Sequence, residues 1–137
     1  MPKVVRVLET CIHAEDVERS ARFYEKVFGF PRMDSNERFC VFDVGGGSVL
    51  LIFRQGGTSE PVQTPGGVIP PHGGSGDLHF AFAIRTEDFA DWQKRLGEEG
   101  IAIESEVHWN RGGSSLYFRD PDHHLVELAT PGTWPSY

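Results

Sequence analysis

A single pattern runs through this chain twice, and it limits the folds available more than any other feature. "DVERSARFYEKVFGF", from Asp16, spaces Val17, Ala21, Tyr24 and Val27 or Phe28 along one face of a helix, with Asp16 to cap its start and Gly29 its end. "TEDFADWQKRLGEEGI", from Thr86, does the same with Phe89, Trp92 and Leu96, a threonine cap, acids in the first turn and Gly100 at the end. A strand-like run precedes each helix, "RVLETCIH" in the first half and "LHFAFAI" in the second. Short strand candidates follow each: "RFCVFDV" and "SVLLIF", then "IAIESEV", "SSLYFRD" and "HLVELA". The last two strands in each half are separated by turn signals, "GGGS" at Gly45 and "DPDHH" at Asp120.

Laying Asp16 on Thr86 also lays Glu9 on His79, an offset of 70. Sliding the final strands together, at an offset of 76, sets Leu51 on Glu127. The organisation predicted is a strand, a helix and about three strands, twice, in an α+β chain. The first module covers about residues 4–54, a linker 55–77, the second module about 78–130 and a tail 131–137. The linker, "QGGTSEPVQTPGGVIPPHGGSGD", is too rich in Gly and Pro for a helix or a central strand. It is either a flap over a site or a simple spacer.

Strand alternation then sorts the polar residues. Val7, Glu9, Cys11 and His13 share one face, opposite Leu8, Thr10 and Ile12. His79, Ala81 and Ala83 share another, opposite Phe80, Phe82 and Ile84, while Glu127 stands among Leu125, Val126, Leu128 and Ala129. If each helix covers one side of its sheet, the other sides can curl into a shared cleft holding Glu9, His79 and Glu127. One imidazole and two carboxylates suit a divalent metal with positions left for water or substrate. The competing reading for each residue taken singly is a solvated strand carboxylate or a structural histidine. The repeat superposes Glu9 on His79, so the choices are not independent.

Charge narrows the partners. The formal net charge of -7 lacks the basic footprint of a nucleic-acid or anionic-membrane binder. The longest apolar runs resemble "VLLIF", and no charged-then-apolar leader follows Met1, so a soluble, cytoplasmic protein is expected. Cys11 and Cys40 form no CxxC pair and sit in strand-like runs, which suits reduced thiols.

"ARFYEKVFGF", "GDLHFAFAI" and "LYFRDPDHHLVEL" resemble the vicinal oxygen chelate superfamily, which includes glyoxalase I, extradiol dioxygenases, methylmalonyl-CoA epimerase and the fosfomycin and bleomycin resistance proteins. The correspondence runs from about Val7 to Ala129. The resemblance implies paired βαβββ modules forming a cleft-shaped, partly open β-barrel, often within a homodimer. It implies a divalent metal (Fe, Mn, Ni, Mg or Zn) and a small-molecule substrate. Carried over by position, the metal ligands are Glu9, His79 and Glu127, with Glu127 also catalytic. The family usually has His or Gln where this chain has Glu9, and the position of a fourth glyoxalase I ligand falls on or near Leu51, which cannot bind metal. Dioxygenase-type or isomerase/lyase-type chemistry is therefore expected ahead of ordinary glyoxalase I activity, the alternative being a metal-free protein that sequesters a small molecule, as bleomycin resistance proteins do.

Other residues take lesser roles. His13 either contacts substrate as a catalytic acid or base or meets solvent at a strand end. Tyr117 lies where the resembling dioxygenases hold a catalytic cleft tyrosine. His108 has the spacing of a supporting histidine of those enzymes, and His72 is within reach of the cleft from the linker. Cys11 reads as an inert small apolar residue. His123 and His124 read as turn residues, with His123 in a left-handed conformation.

Overall fold

The computed structural model describes residues 1–137, which form two compact units, Met1–Ser75 and Gly76–Tyr137. The first unit runs β1 (Glu9–Ala14), α1 (Val17–Phe28), β2 (Arg32–Ser35), β3 (Phe39–Gly45) and β4 (Ser48–Arg54), followed by a small hairpin of β5 (Val62–Thr64) and β6 (Gly67–Ile69). The second runs β7 (His79–Ala83), a 3-10 turn (Thr86–Asp88), α2 (Phe89–Glu98), β8 (Ser105–His108), β9 (Ser114–Arg119) and β10 (Leu125–Ala129). Each is one βαβββ module, as the repeat predicts. No helix is long and apolar enough to cross a membrane.

In the first unit the strands order β1-β4-β3-β2, with β1 and β4 parallel and the others antiparallel. The Asp16 side chain accepts the Arg19 N–H at the start of α1, and Gly29 ends it at φ 68°, a left-handed conformation that costs glycine little. Between these caps, Val17, Ala21, Tyr24 and Val27 turn onto the sheet and are buried with Ile12, Phe42, Leu50 and Ile52. Tyr24 is fully buried, its ring 6.5 Å from that of Phe42. Burial of each such large side chain stabilises the unit by about 1.5–3 kcal/mol relative to exposure.

In the second unit the order is β7-β10-β9-β8, again with one parallel pair, β7 with β10. Phe80 and Phe82 alternate with the exposed His79, Ala81 and Ala83, and Leu96 of α2 is fully buried. Gly100 N–H bonds to Gly97 O and Ile101 N–H to Leu96 O, the double closure of a Schellman end.

The structure departs from the sequence reading in four places. Thr86 does not cap α2. It opens a 3-10 turn, and Asp88 at the helix start makes no side-chain cap because Arg85 takes both its oxygens, at 2.8 and 2.9 Å. β1 starts only at Glu9; the residues before it are tied loosely, Leu8 O accepting the Val49 N–H. β8 covers only the end of "IAIESEV". The linker holds a strand pair of its own, the β5–β6 hairpin, which turns at Pro65 and Gly66.

Candidate metal centre

The second unit supplies a pair of candidate donors, His79 and Glu127. β7 and β10 pair with Leu125 opposite His79 and Glu127 opposite Ala81, while β9 sets Tyr117 opposite Glu127. Partners across a ladder share a face, so His79, Glu127, Tyr117 and Ser115 all stand on the face away from Phe80 and Phe82. The small side chains of Ala81 and Ala83 leave that face open.

His79 Nδ1 lies 3.0 Å from Leu125 O. A carbonyl only accepts, so Nδ1 carries the proton and donates, which in the neutral ring leaves a lone pair on Nε2. Nε2 points at Glu127 Oε1, 3.4 Å away. Two donors on one divalent ion, each about 2.0–2.2 Å from it, stand roughly 3–3.5 Å apart. A ligating histidine characteristically gives its other N–H to a backbone carbonyl, as His79 does. The residues present therefore fit a divalent cation at this pair. The side chain of His79 is 49% exposed and that of Glu127 8%, so the carboxylate is sheltered while the imidazole keeps the approach open.

Glu127 is held from behind. Its Oε2 accepts from Ser115 Oγ at 3.1 Å, and Trp109 Nε1 donates to that same Oγ at 2.8 Å. With its oxygen occupied by the indole N–H, the fully buried Ser115 hydroxyl directs its own proton to the carboxylate. Tyr117 also hydrogen-bonds Glu127, and its phenol is pushed up first by burial and then by that bond, so it remains protonated near neutral pH. The rings of Tyr117 and His79 are 6.1 Å apart. Sequence reading named His79, Tyr117 and Glu127 as candidates but not Ser115 and Trp109. Alternation does place Ser115 on the face of Tyr117; nothing local announces Trp109.

The first unit repeats the register. Glu9 opens β1 as His79 opens β7, and Cys11 pairs with Leu51 as Ala81 pairs with Glu127. Leu51 thus stands where the second unit has its carboxylate, as the offset of 76 reads it. Glu9 is exposed. Burial, then the Glu9 charge, raises the Cys11 thiol, while burial lifts Cys40 to about 11, so neither is a nucleophile at neutral pH. No group of three or more His, Cys, Asp or Glu side chains is arranged to hold a metal ion.

The other histidines fall elsewhere. His13 is 6% exposed, its ring 5.9 Å from that of Phe53 and 5.5 Å from that of His72, and a Cβ at Gly74 would come 3.0 Å from its Nδ1. It thus lies under the linker, packed rather than meeting solvent at a strand end. His108 pairs with Ser114 across β8 and β9, on the opposite face from Glu127, and contacts Ser114 Oγ and Glu106. It does not support the centre. His123 takes φ 69° in its turn, as expected. His124 is more than a turn residue: it is fully buried, with Nδ1 2.8 Å from Asp120 Oδ2, while Asp120 Oδ1 accepts the N–H groups of Asp122 and His124.

Comparison with known proteins agrees with the two-module fold. Residues 6–128 match the model of the Glyoxalase/Bleomycin resistance protein/Dioxygenase superfamily. The metallothiol transferase FosB of Bacillus licheniformis is 28% identical over 129 residues, 93% of this chain and 77% of that protein. The catechol-2,3-dioxygenase of Bacillus subtilis is 30% identical over 113 residues, 82% of this chain but 36% of the dioxygenase. Among solved structures, a lactoylglutathione lyase from Agrobacterium tumefaciens superposes with a TM-score of 0.88 at 27% identity, covering 98% of this chain and 99% of that one. With two βαβββ modules and a family match over nearly its whole length, the chain belongs to the glyoxalase/bleomycin resistance protein/dioxygenase superfamily.

Proposed function

We propose that this protein is a metal-dependent enzyme of its family, acting on a small organic molecule that offers vicinal oxygen atoms to a divalent ion held by Glu9, His79 and Glu127. The observation that carries this reading is the His79–Glu127 pair, an imidazole locked with its Nε2 lone pair toward a sheltered carboxylate. The names of relatives, a metallothiol transferase, a dioxygenase and a lyase, support a metalloenzyme and leave the reaction open among them. One imidazole and two carboxylates form a set for Mn, Fe, Ni or Mg rather than a thiolate site. The bound ion would supply Lewis-acid polarisation of the substrate oxygens.

The chain's own groups do the rest. His79 and Glu127 orient the ion, and Ser115 fixes the carboxylate rotamer. Tyr117, kept protonated beside Glu127, is placed to hydrogen-bond a substrate oxygen and to return a proton to it. His13, buried under the linker, is assigned to packing rather than to proton transfer.

Metal analysis tests the proposal: purified or reconstituted protein should carry about one divalent ion per chain, and Glu9→Ala and His79→Ala should carry less. Equal, negligible metal in all three would sink it and favour a metal-free sequestering protein. With metal present, oxygen uptake on catechols, set against proton exchange at a substrate carbon, divides dioxygenase from isomerase. Ser115→Ala should weaken metal binding about 10- to 100-fold in a chelator competition while leaving the fold intact. An unchanged affinity would show that the serine does not position Glu127.

A further inference from the structure

The open face of the first sheet carries a feature the proposed centre does not use, a cavity of about 310 Å³ between that face and the linker. Phe39, Leu51 and Phe53 form its floor, and Val62, Ile69 and Pro70 of the hairpin segment form its roof. The linker is held there by a two-bond clasp. His72 N–H donates to Thr58 O at 3.0 Å, and Thr58 Oγ1 donates to His72 O at 2.6 Å. The chain between them is thereby closed into a loop whose hairpin stands over the sheet.

The walls are aromatic where they are not aliphatic. The ring of Phe53 lies 6.4 Å from that of Phe39 and, edge on, 4.8 Å from that of His72. Polar groups sit at the rim: the Asn36 carbonyl is taken by the N–H groups of Arg38 and Phe39, which leaves its amide N–H₂ to donate, and Glu60 offers an acceptor. Ile69 lines the cavity yet remains 51% exposed, apolar surface that the protein alone does not cover. The volume is at the lower end for small-molecule sites and suits a group of about one or two rings.

Leu51 and Phe53 share the sheet face of Glu9, which pairs with Val49, two residues from Leu51 along β4 and so about 7 Å away. From this placement, and resting on the metal reading above, we propose that the cavity under the β5–β6 hairpin takes a neutral aromatic arm of the substrate, whose oxygen-bearing end extends along the sheet face toward Glu9. The substrate class is then an arene joined by a short spacer to vicinal oxygens.

The test is methyl NMR of the full chain stripped of metal with a chelator and titrated with indole, which offers a ring and no chelating oxygens. Saturable shifts are expected at Leu51, Val62 and Ile69, with binding weakened at least about tenfold in Ile69→Lys and in Val62→Asp, since each puts a charge into an apolar wall. Unmoved Ile12, Leu50 and Ile52 methyls in the variants would show the sheet intact. In the metal-loaded protein, an arene linked to a vicinal diol should bind at least about tenfold more tightly than indole. Absence of saturable shifts, shifts confined to the second unit, or a linked compound that binds no better than indole in a protein shown to hold metal, would each overturn the proposal. Indole binding that persists in His79→Ala, with metal absent from every variant, would instead overturn the metal reading and leave the aromatic site standing.

Discussion

Glu127→Gln is expected to lower the affinity for a divalent ion more than about a hundredfold, a loss of roughly 3 kcal/mol or more. The amide keeps the shape of the carboxylate but removes a charge, and its new N–H₂ group faces His79 Nε2 across the present 3.4 Å gap. An N–H donated into that lone pair would occupy the second ligand as well, so one substitution disables both. Ser115 can still donate to the amide oxygen, and thermal stability should remain within a few degrees of the original. Competition against a chelator of known affinity reads the effect. Affinity within about threefold of the original would remove Glu127 from the set of ligands.

The second large effect concerns stability. Asp120→Ala should destabilise the protein by about 3–5 kcal/mol, because it leaves His124 buried without its charge partner and two backbone N–H groups without their acceptor. Burial alone would pull the His124 imidazolium below its ordinary range, but the Asp120 contact outweighs it and the net direction is upward. A histidine raised on folding contributes its stabilisation in full below the unfolded value near 6.5 and loses it as pH rises through the folded value. The cost of Asp120→Ala should therefore be larger at pH 6 than at pH 9, since the pair loses its charge as pH rises through the raised folded value. Urea unfolding at the two pH values measures it, and a cost that rises toward alkaline pH would contradict the assigned direction.

The relation between sequence and structure differs from one residue to another. The helix bounds at Asp16, Gly29 and Gly100 were legible because caps and apolar spacing are local. So was the alignment of Glu9 with His79 and of Leu51 with Glu127, since strand alternation and the repeat together set a register that the two ladders display. The expected cap at Thr86 was wrong because residues 86–88 close into a 3-10 turn before α2 begins, and propensity does not report where a helix tightens its first turn. His108 matched a spacing but fell on the other face of β9's neighbour, since the loop before Ser114 hides the register.

The sequence by itself determined the two βαβββ modules and the faces of their strands, because periods of 2 and 3.6 are properties of the backbone. Only the tertiary structure decided that His13 lies beneath the linker, that Trp109 and Ser115 brace Glu127, and that a hairpin inside a Gly- and Pro-rich stretch roofs an aromatic cavity. Those are outcomes of where loops without a period come to rest and of the direction in which each hydrogen bond is donated, and both depend on contacts between residues far apart in the chain.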